Sequence, residues 1–147
     1  MIYHTVSADE TRALAERLAA ALSGGVIAMT GDLGAGKTAF VSGLARGLGY
    51  SGGVSSPTFA ICNEYIGGRV PLYHFDMYRI SGWEDLYSTG YFDLLDSGAL
   101  IAVEWSENIE AALPESYLAV YIRRKSDCER DIEIKPIGGF GLENFGD

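Results

Sequence analysis

Apolar residues recur at helical spacing at Leu14, Leu18, Ala21 and Leu22, just ahead of Gly24 and Gly25. Ser7 precedes them with Glu10 three residues on, the spacing of a capping box, so the pattern predicts an amphipathic helix that ends at the glycine pair. Val26 to Met29 is then an unbroken apolar run, which suits a strand covered on both faces in a parallel or mixed sheet. Phe40, Val41, Leu44 and Leu48 form a second helical stripe over 37–48, closed by Gly49. SGGVSSPTF reads as loop, and 60–65 with 70–76 read as two strands joined across Gly67 and Gly68, an antiparallel hairpin. Residues 83–97 mix Leu86, Phe92, Leu94 and Leu95 with acids and predict short helices. Leu100 to Val103 is a short apolar strand ending on Glu104, 117–123 and 131–135 form a second strand pair, and GGFGLENFGD predicts a loose tail from about residue 137.

Composition narrows the class. The 147 residues are 48% hydrophobic and 21% charged, one domain's worth of chain with enough core to need no disulfides. Cys62 and Cys128 have no CxxC partner or neighbouring His, which predicts reduced core thiols instead of a zinc or redox site. The longest apolar run, 117–122, is far too short to span a bilayer, and MIYHTVSADE lacks a signal-peptide pattern, so a cytoplasmic protein is expected. With 20 acidic residues against 11 basic ones, the net charge is -9. A phosphate backbone is gripped by clustered Lys and Arg, so strong direct nucleic-acid binding is not expected.

Gly31 to Thr38 reads GDLGAGKT and fits G-x-x-x-x-G-K-[ST] at every fixed position. Chance would produce this match in a chain of such composition on the order of once in 200, the scarcity of lysine keeping the figure low. The motif follows a buried strand and opens a helix, so backbone N–H groups and the positive helix end converge where a phosphate would sit. Gly34, Ala35 and Gly36 would wrap the phosphates, Lys37 would bridge β and γ phosphates, and the Thr38 hydroxyl would ligate Mg2+. Such a loop needs an acid at a neighbouring strand end. Glu104 and Asp76 both qualify, and spacing alone does not choose between them. His74 shares a strand face with Asp76 and reads as a hydrogen-bonded structural histidine. Ser55 to Thr58 occupy the place of a loop that senses a γ-phosphate, although the same residues also make an ordinary turn. Arg79 could face phosphate or form a surface ion pair.

Four strings occur in one order: GDLGAGKT, SSPTF, HFDMYR at 74–79 and VEWSE at 103–107. Together they resemble the TsaE (YjeE) family of small bacterial P-loop ATPases, from the first helix to the strand near Tyr121. The resemblance implies an α/β fold: a single P-loop NTPase-like domain over 1–147, with a mixed parallel and antiparallel sheet flanked by helices. It also implies Mg2+-dependent ATP hydrolysis, slow in isolation, supporting threonylcarbamoyl transfer to adenosine 37 of tRNA by the partner proteins TsaD and TsaB. By the same resemblance, Lys37 and Thr38 match the P-loop Lys and Mg2+ ligand, and Glu104 matches the acid that completes the metal site. Asp76 matches a water-positioning acid, Thr58 the SPT-loop Thr, and Glu10 with Glu129 or Arg130 the adenine end.

Competing classes remain open at this stage. A small-molecule kinase could use the same loop and acid but would need a second pocket and an Arg-rich lid, which the sequence does not display. A GTPase would carry N-K-x-D, which is missing, and a third class would bind ATP without useful hydrolysis.

Overall fold

The computed structural model describes residues 1–31, 35–54, 61–142 and 145. In chain order its elements are β1 (Ile2–Thr5), α1 (Ala8–Ala20), β2 (Gly25–Gly31), α2 (Lys37–Gly47), β3 (Cys62–Tyr65), β4 (Leu72–Asp76), α3 (Trp83–Tyr87), α4 (Tyr91–Leu94), β5 (Leu100–Glu104), a 3-10 helix (Ser106–Ala112) kinked at Ile109, β6 (Tyr117–Arg124) and β7 (Arg130–Ile137). Among the described residues seven strands form one sheet in the order β1-β7-β6-β2-β5-β4-β3. The inner strands β6, β2, β5 and β4 run parallel, while β3 pairs antiparallel with β4, and β7 with β6 and β1. This is the mixed α/β architecture the sequence predicts.

Helices cover both faces of the inner strands, which explains their unalternating apolar runs. On one face Leu14 and Leu18 of α1 and Phe40 and Leu44 of α2 share a core with Ile27, Met29, Leu118 and Val120. On the other, Phe75, Ile101 and Val103 pack with Tyr91 and Ile109. All five residues of β5 are buried, Glu104 included.

Small residues let α1 and α2 approach closely. A Cβ placed on Gly43 would lie 2.2 Å from the Arg12 carbonyl oxygen and 2.7 Å from the Ala15 Cβ. One turn on, a Cβ on Gly47 would meet the Glu16 carbonyl at 2.4 Å and the Ala19 Cβ at 2.8 Å. The second half of α2 is therefore held against α1 by helix-to-helix backbone contact.

Several expectations change. The sequence pattern did not signal β1, a four-residue edge strand with a polar pattern and Ile2 largely exposed, held by pairing with β7 and by His4 between Glu129 and Asp131. Residues 106–112 were not predicted as a helix, because only Ile109 and Ala112, three apart, turn inward beside Ser106. β4 starts at Leu72, two residues later than the pattern suggests. The cysteines are free, but Cys128 is exposed, which corrects the core-thiol reading there. Cys62 is half-buried, and burial pushes its thiol up to about 12, with the Glu64 charge adding to the shift. In the Gly-rich end, expected to be loose, Phe140, Leu142 and Phe145 pack against the α1 side of the core.

Candidate nucleotide site

The two helices facing the same sheet layer begin differently. At α1, Ser7 caps the Glu10 N–H through its side chain, Asp9 and Glu10 sit in the first turn, and the Glu10 carboxylate accepts the Val6 N–H at 3.0 Å. At α2, Gly36 occupies the cap in the left-handed region (φ 105), no side chain caps the helix among the described residues, and the first turn holds no acid. The positive end of α2 is thus left to an external anion. Thr38 lies exposed on that first turn.

Lys37 opens α2 and directs its ammonium inward, donating to the Gly31 carbonyl at 2.8 Å. Its Nζ also lies 3.4 Å from Glu104 Oε1. The other carboxylate oxygen, Oε2, stands 2.5 Å from His74 Nε2. Glu104 is 5% exposed, so it is both buried and clamped. Burial by itself would raise its pKa. The hydrogen bond and charge of His74 and the charge of Lys37 together outweigh that, holding the carboxyl below the ordinary carboxylate value. His74 reaches this place because β4 and β5 run parallel in register, with His74 opposite Ala102 and Asp76 opposite Glu104. Its Nδ1 is buried without a hydrogen-bond partner among the described residues.

Asp76 therefore ends β4 directly beside Glu104 on the neighbouring strand, half-buried, its Oδ1 accepting the Tyr78 N–H at 2.9 Å. Trp105 follows Glu104 in the left-handed region (φ 58), costly for a bulky side chain. Its ring packs against Tyr78 at 4.9 Å and lies 5.6 Å from the Lys37 ammonium, a cation–π distance.

On the far side of the loop, Arg130 donates from Nε to the Ala35 carbonyl at 2.8 Å. A cavity of about 270 Å³ opens here, lined by Ser7, Thr11, Gly36, Ala39, Cys128 and Arg130 among others. It joins the start of α1, the start of α2 and the β6–β7 turn; the first and last of these are the two places the family resemblance implies for the adenine end. Glu10 is absent from its lining, and Glu129 faces away to meet His4 Nε2 at 3.1 Å. Arg79 is exposed. Gly34 and Thr58 lie outside the described residues.

A helix start with no acid in its first turn, a lysine 3.4 Å from one buried carboxylate, a second acid on the neighbouring strand and an adjoining cavity could hold a nucleotide phosphate chain with Mg2+. The model of the family described as "Threonylcarbamoyl adenosine biosynthesis protein TsaE" matches residues 5–132. The chain belongs to the TsaE family. The curated TsaE of Bacillus subtilis is 44% identical over 138 residues, covering 92% of this chain and 85% of that protein. TsaE of Nostoc is 40% identical over 120 residues, covering 78% and 72%, and that of Streptomyces coelicolor 38% over 134, covering 88% and 90%. Among solved structures, the crystal structure of Bacillus subtilis YdiB superposes with a TM-score of 0.72 at 40% identity, covering 94% of this chain and 86% of that one.

In this TsaE-family chain, sequence reasoning found both strand-end acids and the lysine but missed the His74–Glu104 hydrogen bond and the Lys37–Trp105 contact. The alternation of β4 put His74 on the face of Asp76, yet only the β4–β5 register reveals its partner. The sequence does not single out Ser7 and Thr11 in the cavity lining either, Ser7 reading only as a helix cap.

Proposed function

We propose that this TsaE-family chain binds ATP with Mg2+, hydrolyses it slowly alone, and supports threonylcarbamoyl transfer to adenosine 37 of tRNA by TsaD and TsaB in the cytoplasm. The observation that carries this reading is Lys37 at the start of α2, 3.4 Å from Glu104, which in turn sits opposite Asp76 on the neighbouring strand. Lys37, Gly36 and the first N–H groups of α2 would hold the β and γ phosphates, with Gly34 and Ala35 completing the loop. Thr38 and Glu104 would hold Mg2+, which when bound neutralises charge on the phosphate oxygens.

The chain's own residues divide the remaining work. Glu104 stays ionised, as a metal ligand must, because His74 and Lys37 favour its charged form. His74 fixes the carboxylate's orientation from behind. Asp76, one strand over, would orient the attacking water, whose addition to the γ-phosphorus releases ADP and phosphate. Arg130 ties the β6–β7 turn to the loop and, with the cavity beside Gly36, would receive the adenosine end. Thr58 would respond to the γ-phosphate and make partner binding depend on the nucleotide.

The test pairs calorimetric binding of a non-hydrolysable ATP analogue across a Mg2+ titration with phosphate release, with and without purified TsaD and TsaB. Glu104→Ala is expected to lose the Mg2+ dependence of binding, whereas Asp76→Ala should bind normally and hydrolyse poorly. The opposite pattern exchanges the two roles, and wild-type behaviour in both variants refutes the site.

A further inference from the structure

Between Arg79 and Arg123 the sequence has eight carboxylates and no Lys, Arg or His, so this stretch carries -8 of the chain's -9. Apart from buried Glu104, these acids are exposed, and none forms an ion pair among the described residues. The same stretch builds an apolar groove of about 160 Å³ between α3 and the 3-10 helix, lined by Ile80, Trp83, Leu86, Ile109 and Ala112. Its floor is firm: Tyr91 is fully buried beneath it and donates to the Ala112 carbonyl at 3.1 Å. Its lip is aromatic and wet. Trp83, 54% exposed, stacks on Phe92 at 6.2 Å, and Tyr87, 66% exposed, packs against both rings.

We propose that this groove docks a partner-protein segment that inserts an apolar side chain beside Trp83 and sets Lys or Arg against Glu84 and Glu110. The charge selects the occupant. A second copy also carries -9, and its densest basic cluster, Arg123 to Lys125, is already paired with Glu133, Asp127 and Asp131. Nucleic acid is repelled by unpaired carboxylates, whereas a basic, apolar-anchored segment gains both steering and burial. The groove also touches the nucleotide site. Its 3-10 wall follows Glu104 and Trp105 directly, and Asn108 on that wall donates to the Met77 and Tyr78 carbonyls just beyond Asp76. A segment seated there rests on the 3-10 wall that follows Glu104 and is tied through Asn108 to the residues just after Asp76.

The proposal rests on the partner reading above, and the purified TsaD–TsaB complex is the probe. Its affinity for the full chain, with ATP analogue and Mg2+, is measured by calorimetry at low and high salt. Trp83→Ala is expected to weaken binding about tenfold or more. Glu84→Lys and Glu110→Lys should each weaken it several-fold at low salt, with the difference closing as salt rises. Circular dichroism and ATP-analogue affinity should match wild type in all three. If wild type binds and all three variants bind equally well, the groove is not the dock and the functional reading stands. If wild type fails to bind the complex in any nucleotide state, the partner reading falls and the docking with it. Self-association of the chain that is lost in Trp83→Ala would make a second copy the occupant and overturn the proposal.

Discussion

Gly43→Ala separates local helix preference from tertiary packing, because the two effects have opposite signs. In a helix interior, alanine is favoured over glycine by about 1 kcal/mol. Against that, the new Cβ would sit 2.2 Å from the Arg12 carbonyl oxygen, where contacts of about 3.5 Å are comfortable, so α1 must recede by about 1 Å. The obstacle is backbone, not a flexible side-chain tip, and the retreat loosens Leu14 and Leu18 against Phe40 and Leu44. Overpacking of this kind costs about 1–3 kcal/mol, with a backbone clash at the upper end. The net expectation is a loss of about 2 kcal/mol, a fall of about 6 °C in Tm for a chain of this length. Differential scanning calorimetry at fixed pH measures it, with Gly53→Ala as control, since a Cβ there meets nothing within 4 Å among the described residues. A Tm for Gly43→Ala equal to or above wild type would refute the close-contact reasoning and leave helix propensity in charge.

Other expectations follow from the site. Lys37→Ala should keep the fold while ATP-analogue affinity falls about 10–100-fold, the worth of one charge-assisted hydrogen bond, as read by calorimetry. Glu104→Gln removes a buried charge between two donors and should cost about 2–3 kcal/mol in urea unfolding at pH 7. Because the Glu104 pKa is lowered in the folded chain, its stabilising contribution is present above the ordinary carboxylate value of 4.5 and lost as pH falls through the folded value. The gap between wild type and Glu104→Gln should therefore be present at neutral pH and shrink below about pH 4.5. Arg130→Ala should raise the KM for ATP several-fold, as read by steady-state phosphate release, since it removes the tie between the β6–β7 turn and the Ala35 carbonyl.

What the sequence disclosed and what it withheld divide along one physical line. GDLGAGKT, the buried run ending at Glu104 and the strand ending at Asp76 are local patterns, and fixed spacing was enough to read them. The capping of α1 by Ser7 was equally local, and it forms as expected. What stayed hidden depends on register between distant segments. His74 meets Glu104 across thirty residues of sequence, and Arg130 meets Ala35 across 95. β1 was invisible because an edge strand of four residues needs no apolar alternation when its neighbour supplies the pairing. The 3-10 helix escaped for a related reason: its buried positions repeat every three residues, too briefly to register as a helical stripe.

The register that sets Met29, Glu104 and Asp76 side by side has a thermodynamic consequence. In the parallel trio β2-β5-β4, the loop lysine and the two acids come from three separate stretches of chain and adjoin only when the sheet is complete. No fragment of the fold contains the whole site, so a ligand that needs all three groups binds the native state and has no foothold on the unfolded one. Its binding free energy is then added to the stability of the entire domain by mass action, about 2.7 kcal/mol at a hundredfold excess over Kd. The far ends of α1 and of β7 would then resist heat, urea and proteases according to how much of that ligand is present, although neither lies in the site itself.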